Sequence, residues 1–243
     1  MEREHIVKAF RFELSRVQTP AIRARMVSGL MNVAPELAEA VAKGLGLREM
    51  PDPMPKVLKK DVKPEVTQSP ALSLFARPGD GSIRARRVAI LVADGIDGTA
   101  LQAAAERLLA EGAVPRFVGS RLGVVDSITG DPIEVDVSME ATPSVLYDAV
   151  ILPDGKAAVE ALSMDGRTAE FVKDQYRHCK PILALGAATG ILQKAGIPSK
   201  LPTGKPDPGL IVGAGSDNNT VDAFIAALAK HRHFERETDP PLV

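Results

Sequence analysis

"PILALGAATGIL", residues 181–192, reads as a buried strand that runs into a tight Gly/Ala turn and then a helix. In α/β proteins such a turn stands at the carboxyl end of a strand, where ligands and reacting groups gather. Gly186 occupies the position at which many enzymes built this way carry a nucleophile, and neither Gly186 nor Ala187 has a side chain able to attack, donate or accept. Thr189, three positions into the turn, is expected to cap the following helix rather than to react.

The same grammar extends over the chain from Arg86 onward. "RRVAILVADG" (86–95), "VPRFVGS" (114–120), "AVILPDG" (149–155) and "GLIVGAG" (209–215) are apolar strands bounded by Gly, Asp or Ser. Between them "GTALQAAAERLLAEGA" (98–113) and "AAVEALSMDGRTAEFVKDQYRHC" (157–179) read as helical, and "DNNTVDAFIAALAKHRHFERE" (217–237) supplies the last helix. Continuous apolar strands alternating with helices predict a parallel sheet covered on both faces, and right-handed crossovers make it a doubly wound, flavodoxin-like α/β sandwich. "GVVDSITGDPIEVDVSME" (123–140) breaks the pattern: alternation around Thr129, Gly130, Asp131 and Pro132 predicts a hairpin inserted at an edge.

Strand carboxyl ends are therefore the places to look for chemistry. They bring forward Asp94 and Asp97, Asp154, Gly186 to Thr189, and "GAGSDNN" (213–219). Gly213 and Gly215 form a lone Gly-x-Gly followed by Ser216, Asp217 and Asn218, which is a weak dinucleotide signal; Asp217 or Asn219 is expected to cap the last helix. "LPTGKPDPG" (201–209) precedes a strand and lacks the rest of a phosphate loop, so it reads as a plain loop. The single cysteine, Cys179, excludes an internal disulfide. It lies at a helix end, on the opposite edge of the sheet from the strand carboxyl ends, and is expected to be an ordinary surface or helix-end thiol. His178 and Lys180 beside it could make it oxidisable. The four histidines offer no clustered zinc spacing, and His231 and His233 read as a solvated tail.

Upstream the pattern differs. Residues 1–50 form a helical segment: Ile6, Phe10, Leu14 and Val17, then Ile22, Met26 and Leu30, then Leu37, Val41 and Leu45 recur at helical spacing. Pro20 with Thr19 as its cap, and Pro35, fit helix starts, while Gly44 and Gly46 fit helix ends. Three short amphipathic helices bury little alone, so their stripes call for a covering surface. Residues 51–84 form a Pro-rich linker, with five prolines in "MPDPMPKVLKKDVKPEVTQSP" and an apolar patch of Leu72, Leu74 and Phe75 able to clip it to a surface. Residues 85–243 then form the flavodoxin-like domain.

Composition narrows the function classes. A 243-residue chain with 45% apolar residues can bury a sizeable core. Net charge is −1, with +3 over residues 1–80 and −4 over the remainder, so no electrostatic case for nucleic acid exists; 4% aromatics without Trp argue against base stacking. No apolar run approaches the length of about 18 residues that a membrane helix needs. The charged opening "MEREHIVKAF" is unlike a secretory signal, which leaves a cytoplasmic location as the expectation.

Two resemblances follow. The half from Arg86 resembles the PfpI-type, class I glutamine amidotransferase-like superfamily, whose active members carry Cys on an elbow reading roughly Ile-Cys-(His or Ala)-Gly-Pro. Laid against it, "ILALGAATG" puts Gly186 at that Cys and Ala187 where some members have His, and "ADGIDGTA" puts Ala100 near the family's acid, with Asp94 and Asp97 displaced. The resemblance implies the fold and withholds the activity, leaving a hydrolase or glyoxalase that uses Cys179 as the alternative enzyme.

The closer resemblance covers the whole chain. "HIVKAFRFELSRVQTPAIRARMVSGLMNVAPELAEAVAKGLGL" (5–47) and "SPALSLFARPGDGSIRARRVAILVADGIDG" (69–98) resemble the C-terminal portion of large-subunit haem catalases: final core helices, linker and extra flavodoxin-like domain, in that order. The resemblance implies a parent that dismutates hydrogen peroxide with haem, as a tetramer. It also implies a non-catalytic accessory role here, in stability, assembly, bordering of the access channel, or holding of unfolded client proteins. A haem catalase of this kind needs a distal His with Asn and a proximal Arg-x-x-x-Tyr. Tyr147 and Tyr176 are instead preceded at that spacing by Pro143 and Val172, so no cofactor is expected to be held by these residues. The initial Met points to a truncated or engineered product.

Overall fold

The computed structural model describes residues 2–58, 63–73, 75–76, 79–214 and 217–243, the side chain of Asn218 aside. Leu74 of the linker patch, Gly215, Ser216 and the Asn218 side chain thus lie outside the described residues. The chain divides into two compact units, Met1–Pro78 and Gly79–Val243. Among the described residues no helix is long and apolar enough to cross a membrane.

The first unit holds α1 (Glu2–Ser15), α2 (Pro20–Leu30) and α3 (Pro35–Gly44). Pro20 and Pro35 stand at the first helical position, where the missing N–H costs nothing, although Thr19 makes no side-chain capping bond. Leu14, Val27, Leu30, Ala38, Val41 and Ala42 form a small core. The stripes are only partly covered within this unit: Ile6, Ile22 and Met26 are 47%, 43% and 42% exposed. The start of the Pro-rich stretch lies along the end of α2. Ser28 Oγ donates to Asp52 O (2.6 Å), Met54 N to Ser28 O (3.2 Å) and Asn32 Nδ2 to Met54 O (2.6 Å). Leu72 and Phe75, expected to clip onto a surface, are exposed instead; they line an open groove of about 750 Å³ with Glu2, Arg3 and Ile6.

The second unit runs β1 (Arg87–Leu91), α4 (Gly98–Ala110), β2 (Val114–Gly119), β3 (Gly123–Asp126), β4 (Pro132–Val135), β5 (Val137–Ser138), β6 (Ala149–Leu152), α5 (Lys156–Met164), α6 (Gly166–Arg177), β7 (Ile182–Leu185), α7 (Thr189–Lys194), β8 (Leu210–Gly213) and α8 (Asn218–Ala229). The main sheet has the order β5-β2-β1-β6-β7-β8, with every pairing parallel. Without the two-residue edge strand β5, this is the flavodoxin order, which reverses direction between β1 and β6. β3 and β4 form the predicted antiparallel hairpin as a separate two-stranded sheet. Its turn is tied to the loop after β1 by Ile128 N donating to Ile96 O (2.8 Å).

Strand alternation sends each strand's residues to two cores. Val88, Ile90, Ile151, Leu183 and Leu185 pack with Leu101, Leu108, Phe224 and Leu228 of α4 and α8. Ala89, Leu91, Val150, Leu152, Ile182 and Ala184 pack on the opposite face with Leu162, Phe171, Val172, Ile191 and Leu192 of α5, α6 and α7. Burial on both faces is why these strands read as unbroken apolar runs. Side-chain caps fix three of the helix starts: Asp97 accepts from Ala100 N, Asp165 from Arg167 N, and Asp217 from Asn219 N. Thr189 is a different case from the one expected. It is the first residue of α7, and Ala188 takes the capping position without a side-chain bond, because the turn arrives already wound as the 3₁₀ segment Gly186–Ala188.

Candidate functional site

The carboxyl ends of β1, β6 and β7 meet at the switch in strand order. After β7 the chain turns at Gly186 with φ +49, the left-handed conformation that an elbow of this type imposes on its central residue. Gly186 and Ala187 are exposed, whereas Ala188 is buried beneath them. Asp154, just past β6, reaches into the turn. Its Oδ1 accepts from Ala187 N (2.9 Å) and from Gly155 N (2.7 Å). A Cβ added at Gly186 would overlap the Asp154 carboxyl group.

The backbone around Asp154 is equally committed. Its main-chain oxygen accepts from Asp97 N (3.0 Å). Gly155 has φ +113, and a Cβ there would run into Gly95 O and Ile96 Cα. Gly95 is itself in the left-handed region, and its N–H donates to Asp126 O (2.7 Å), drawing the hairpin onto the same edge. Asp94 is exposed, with Oδ1 accepting from Asp126 N (3.0 Å). Ala100, near the expected acid, is buried in the first turn of α4 and spends its N–H on Asp97. The structure thus brings Asp94, Asp97, Asp154 and the elbow to one edge, where each carboxylate accepts backbone N–H groups. Among the described residues no set of three or more His, Cys, Asp or Glu is placed to hold a metal.

At the end of β8, a Cβ on Gly213 would strike Thr220, whose hydroxyl bonds Asp217 Oδ2 (3.3 Å), so this glycine serves close strand-to-helix packing. Leu201–Pro206 is a tight loop closed by Leu201 N donating to Lys205 O (2.9 Å).

The opposite, amino-terminal edge of the sheet holds Cys179 at a helix end, as expected, but differs from expectation in burial. Cys179 is 2% exposed, not a surface thiol; it sits at the end of α6 with φ +58, and its carbonyl accepts from His233 N (2.8 Å). The thiol is thus buried at the sheet edge opposite the elbow. The tail is not solvated either. His233 is 2% exposed, its Nε2 3.2 Å from Ala227 O, and His231 Nε2 lies 3.3 Å from Asp148 Oδ1. Arg236 Nε donates to Asp207 Oδ2 (2.7 Å) with both side chains 1% exposed, Nη1 donates to Lys180 O (2.6 Å), and the guanidinium stacks 4.7 Å from the Tyr176 ring centre. These contacts fold residues 231–236 back under the sheet.

Lys180 lies in the same region, 3% exposed. Its Nζ donates to Ser144 O (3.0 Å), and Val145 O lies at 3.5 Å. Burial, reinforced by the positive charge of Arg232, lowers its pKa to about 8. Burial also pushes His231 and His233 down, with Arg232 and Arg236 respectively adding repulsion. None of these three roles was legible in the sequence, because each rests on a partner distant along the chain.

Fold and elbow together define a doubly wound, flavodoxin-like domain whose elbow carries no nucleophilic side chain. Comparison with known proteins gives the family. Residues 84–238 match the C-terminal domain found in long catalases, and residues 1–45 match the catalase-related immune-responsive family. The chain belongs to the family of long-catalase C-terminal domains. It is 37% identical to "Catalase HPII" of Pseudomonas putida over 239 residues, covering 97% of this chain and 31% of that protein. It is 38% identical to "Catalase HPII" of Mycobacterium avium, covering 98% and 34%, and 35% identical to "Catalase C" of Rhizobium meliloti (strain 1021), covering 97% and 32%. The chain spans about a third of the length of these curated relatives.

Proposed function

We propose that this chain is a non-catalytic accessory region of a long catalase, contributing stability and assembly to a protein that converts hydrogen peroxide to water and oxygen. The observation that carries the reading is the elbow: its backbone is kept, position 186 has no side chain, and a neighbouring carboxylate stands in the room a nucleophile would need. In this reading the haem is held by the part of the catalase outside these residues. The partners are that core and the sister subunits of a homotetramer, in the cytoplasm, and the chain brings no cofactor of its own. The half-exposed stripe of Ile6, Ile22 and Met26 is where α1 and α2 would meet the core.

The test compares the parent catalase with and without this region for the half-life of peroxide turnover at elevated temperature and for its mass by light scattering. Removal is expected to shorten the half-life and to shift mass from tetramer to smaller species. Equal half-lives and equal mass would overturn the reading. A parallel assay heats a marginal client enzyme with the full chain or with a chain starting at Arg84. Suppression of scattering by the full chain alone would add holding of unfolded clients through the helical segment; suppression by both would assign it to the second unit.

A further inference from the structure

We propose that Asp154 is a built-in occupant of the elbow, a carboxylate of the protein's own chain seated where the first atoms of a side chain at position 186 would stand, and that it closes this strand-end site to a nucleophile at that position. Three observations meet here. The Asp154 carboxylate takes the Ala187 N–H, the amide next to the vacant position (2.9 Å). A Cβ on Gly186 would overlap that carboxylate at Cγ and both oxygens, so the whole group would have to swing away and give up the Ala187 and Gly155 N–H bonds that hold it there. Asp154 is also fixed from behind: its carbonyl holds Asp97 N (3.0 Å), and the next residue, Gly155, lies so close to Gly95 O that no side chain fits between.

The consequence reaches beyond the loss of a thiol. Restoring cysteine at 186 alone would meet a steric block. It would also set a thiolate against a carboxylate, and a like charge at contact distance raises a thiol's pKa and removes its reactivity. Return of a nucleophile requires two changes, one at 186 and one at 154. The site is shut by substitution of its contents, with its backbone left intact. This inference is separable from the accessory role, which stands or falls on the parent catalase; the present one stands on the coupling between residues 154 and 186.

The experiment uses the full chain. Gly186→Ala, Asp154→Gly and the double variant are compared by urea unfolding, followed by tyrosine fluorescence, since Tyr147 and Tyr176 both lie in the second unit. In the Asp154→Gly background, Gly186→Ala should lower the folding constant only by the left-handed backbone cost, about 5- to 30-fold. With Asp154 present the loss should be at least about tenfold larger. Cys at 186 gives a second reading, with iodoacetamide labelling located by peptide mapping to separate it from Cys179. Labelling at 186 should be at least about tenfold faster when Asp154 is Gly. A third reading adds no bulk: Asp154→Ala should speed hydrogen exchange at the Ala187 amide at least about tenfold, because its acceptor is gone. Equal costs for Gly186→Ala in both backgrounds, equal labelling, or unchanged Ala187 protection would overturn the proposal.

Discussion

Replacing Lys180 with methionine removes a buried charge whose partners are carbonyl oxygens rather than a carboxylate. Lys180 is 3% exposed and bonds Ser144 O, while Arg232 repels it and Asp148 and Asp174 attract it. Its pKa falls from 10.5 to about 8 on folding. Above pH 10.5 neither state holds the proton, and below pH 8 both do; between them the unfolded chain keeps a proton that the folded chain has released. Stability therefore rises as pH climbs from 8 towards 10.5 and is lost again as pH falls through 8. At ~1.36 kcal/mol per pH unit, the full span is worth up to about 3 kcal/mol. Methionine keeps most of the volume, and Ser144 O is not orphaned, because Gln175 Nε2 also donates to it at 2.9 Å. The expected result is a Lys180→Met protein at least as stable as wild type at pH 7, by up to about 2 kcal/mol more. The assay is urea unfolding at intervals from pH 6.5 to 9.5. Wild type should gain about 2 kcal/mol between pH 8 and 9.5 and the variant should not. A flat wild-type profile together with a variant less stable by about 1 kcal/mol or more at pH 7 would refute the reasoning, since the ammonium would then be a net-stabilising donor.

The other expectations concern the same unit. Arg236→Met leaves the Asp207 carboxylate, 1% exposed, without its guanidinium and should lower urea-unfolding stability by about 3–5 kcal/mol. His231 and His233 are both shifted below the ordinary imidazole range, so stability is full above about pH 6.5 and declines as pH falls through their folded values; His233→Gln should reduce the slope of the unfolding midpoint between pH 7 and 5. Gly155→Ala forces a side chain onto φ +113 and into Gly95 O, which should cost about 2 kcal/mol or more by the same denaturation assay.

What could be read from the sequence was what repeats locally. The central strands β1, β6 and β7 announced themselves because both their faces are buried, and the helices between the strands carry apolar residues at helical spacing. The hairpin was marked by the Thr129–Pro132 turn, and α8 by Asp217 ahead of it. All of these signals lie within a few residues of what they specify. Thr189 failed as a cap because a 3₁₀ turn delivers the chain into α7 with its geometry already set. Likewise Leu72 and Phe75 are apolar at a spacing that resembles a clip, yet both stay exposed at the rim of a groove beside α1, where the bond is polar, from Ser73 Oγ to Glu2 Oε1 (2.8 Å).

Polar pairs at the amino-terminal edge were illegible for the opposite reason. Lys180 and Ser144 meet because β7 and β6 lie side by side, and Asp207–Arg236 and Asp148–His231 meet because the segment after α8 returns to that edge. No periodicity encodes such meetings, and so the tail that looked solvated is folded in. The elbow stands between these extremes. A glycine at an exposed elbow leaves room that solvent or a neighbouring side chain can take, and here the Asp154 carboxylate takes it, held by the Ala187 N–H. The sequence holds the trace of which one did. Asp154 is followed by Gly155, and glycines stand in the loop after β1 and directly after β7 as well; Gly95, Gly155 and Gly186 have φ +84, +113 and +49. Three parallel strand ends that each need a left-handed glycine can approach more closely than side chains would allow. The carboxylate next to the middle one is then the group delivered to the gap.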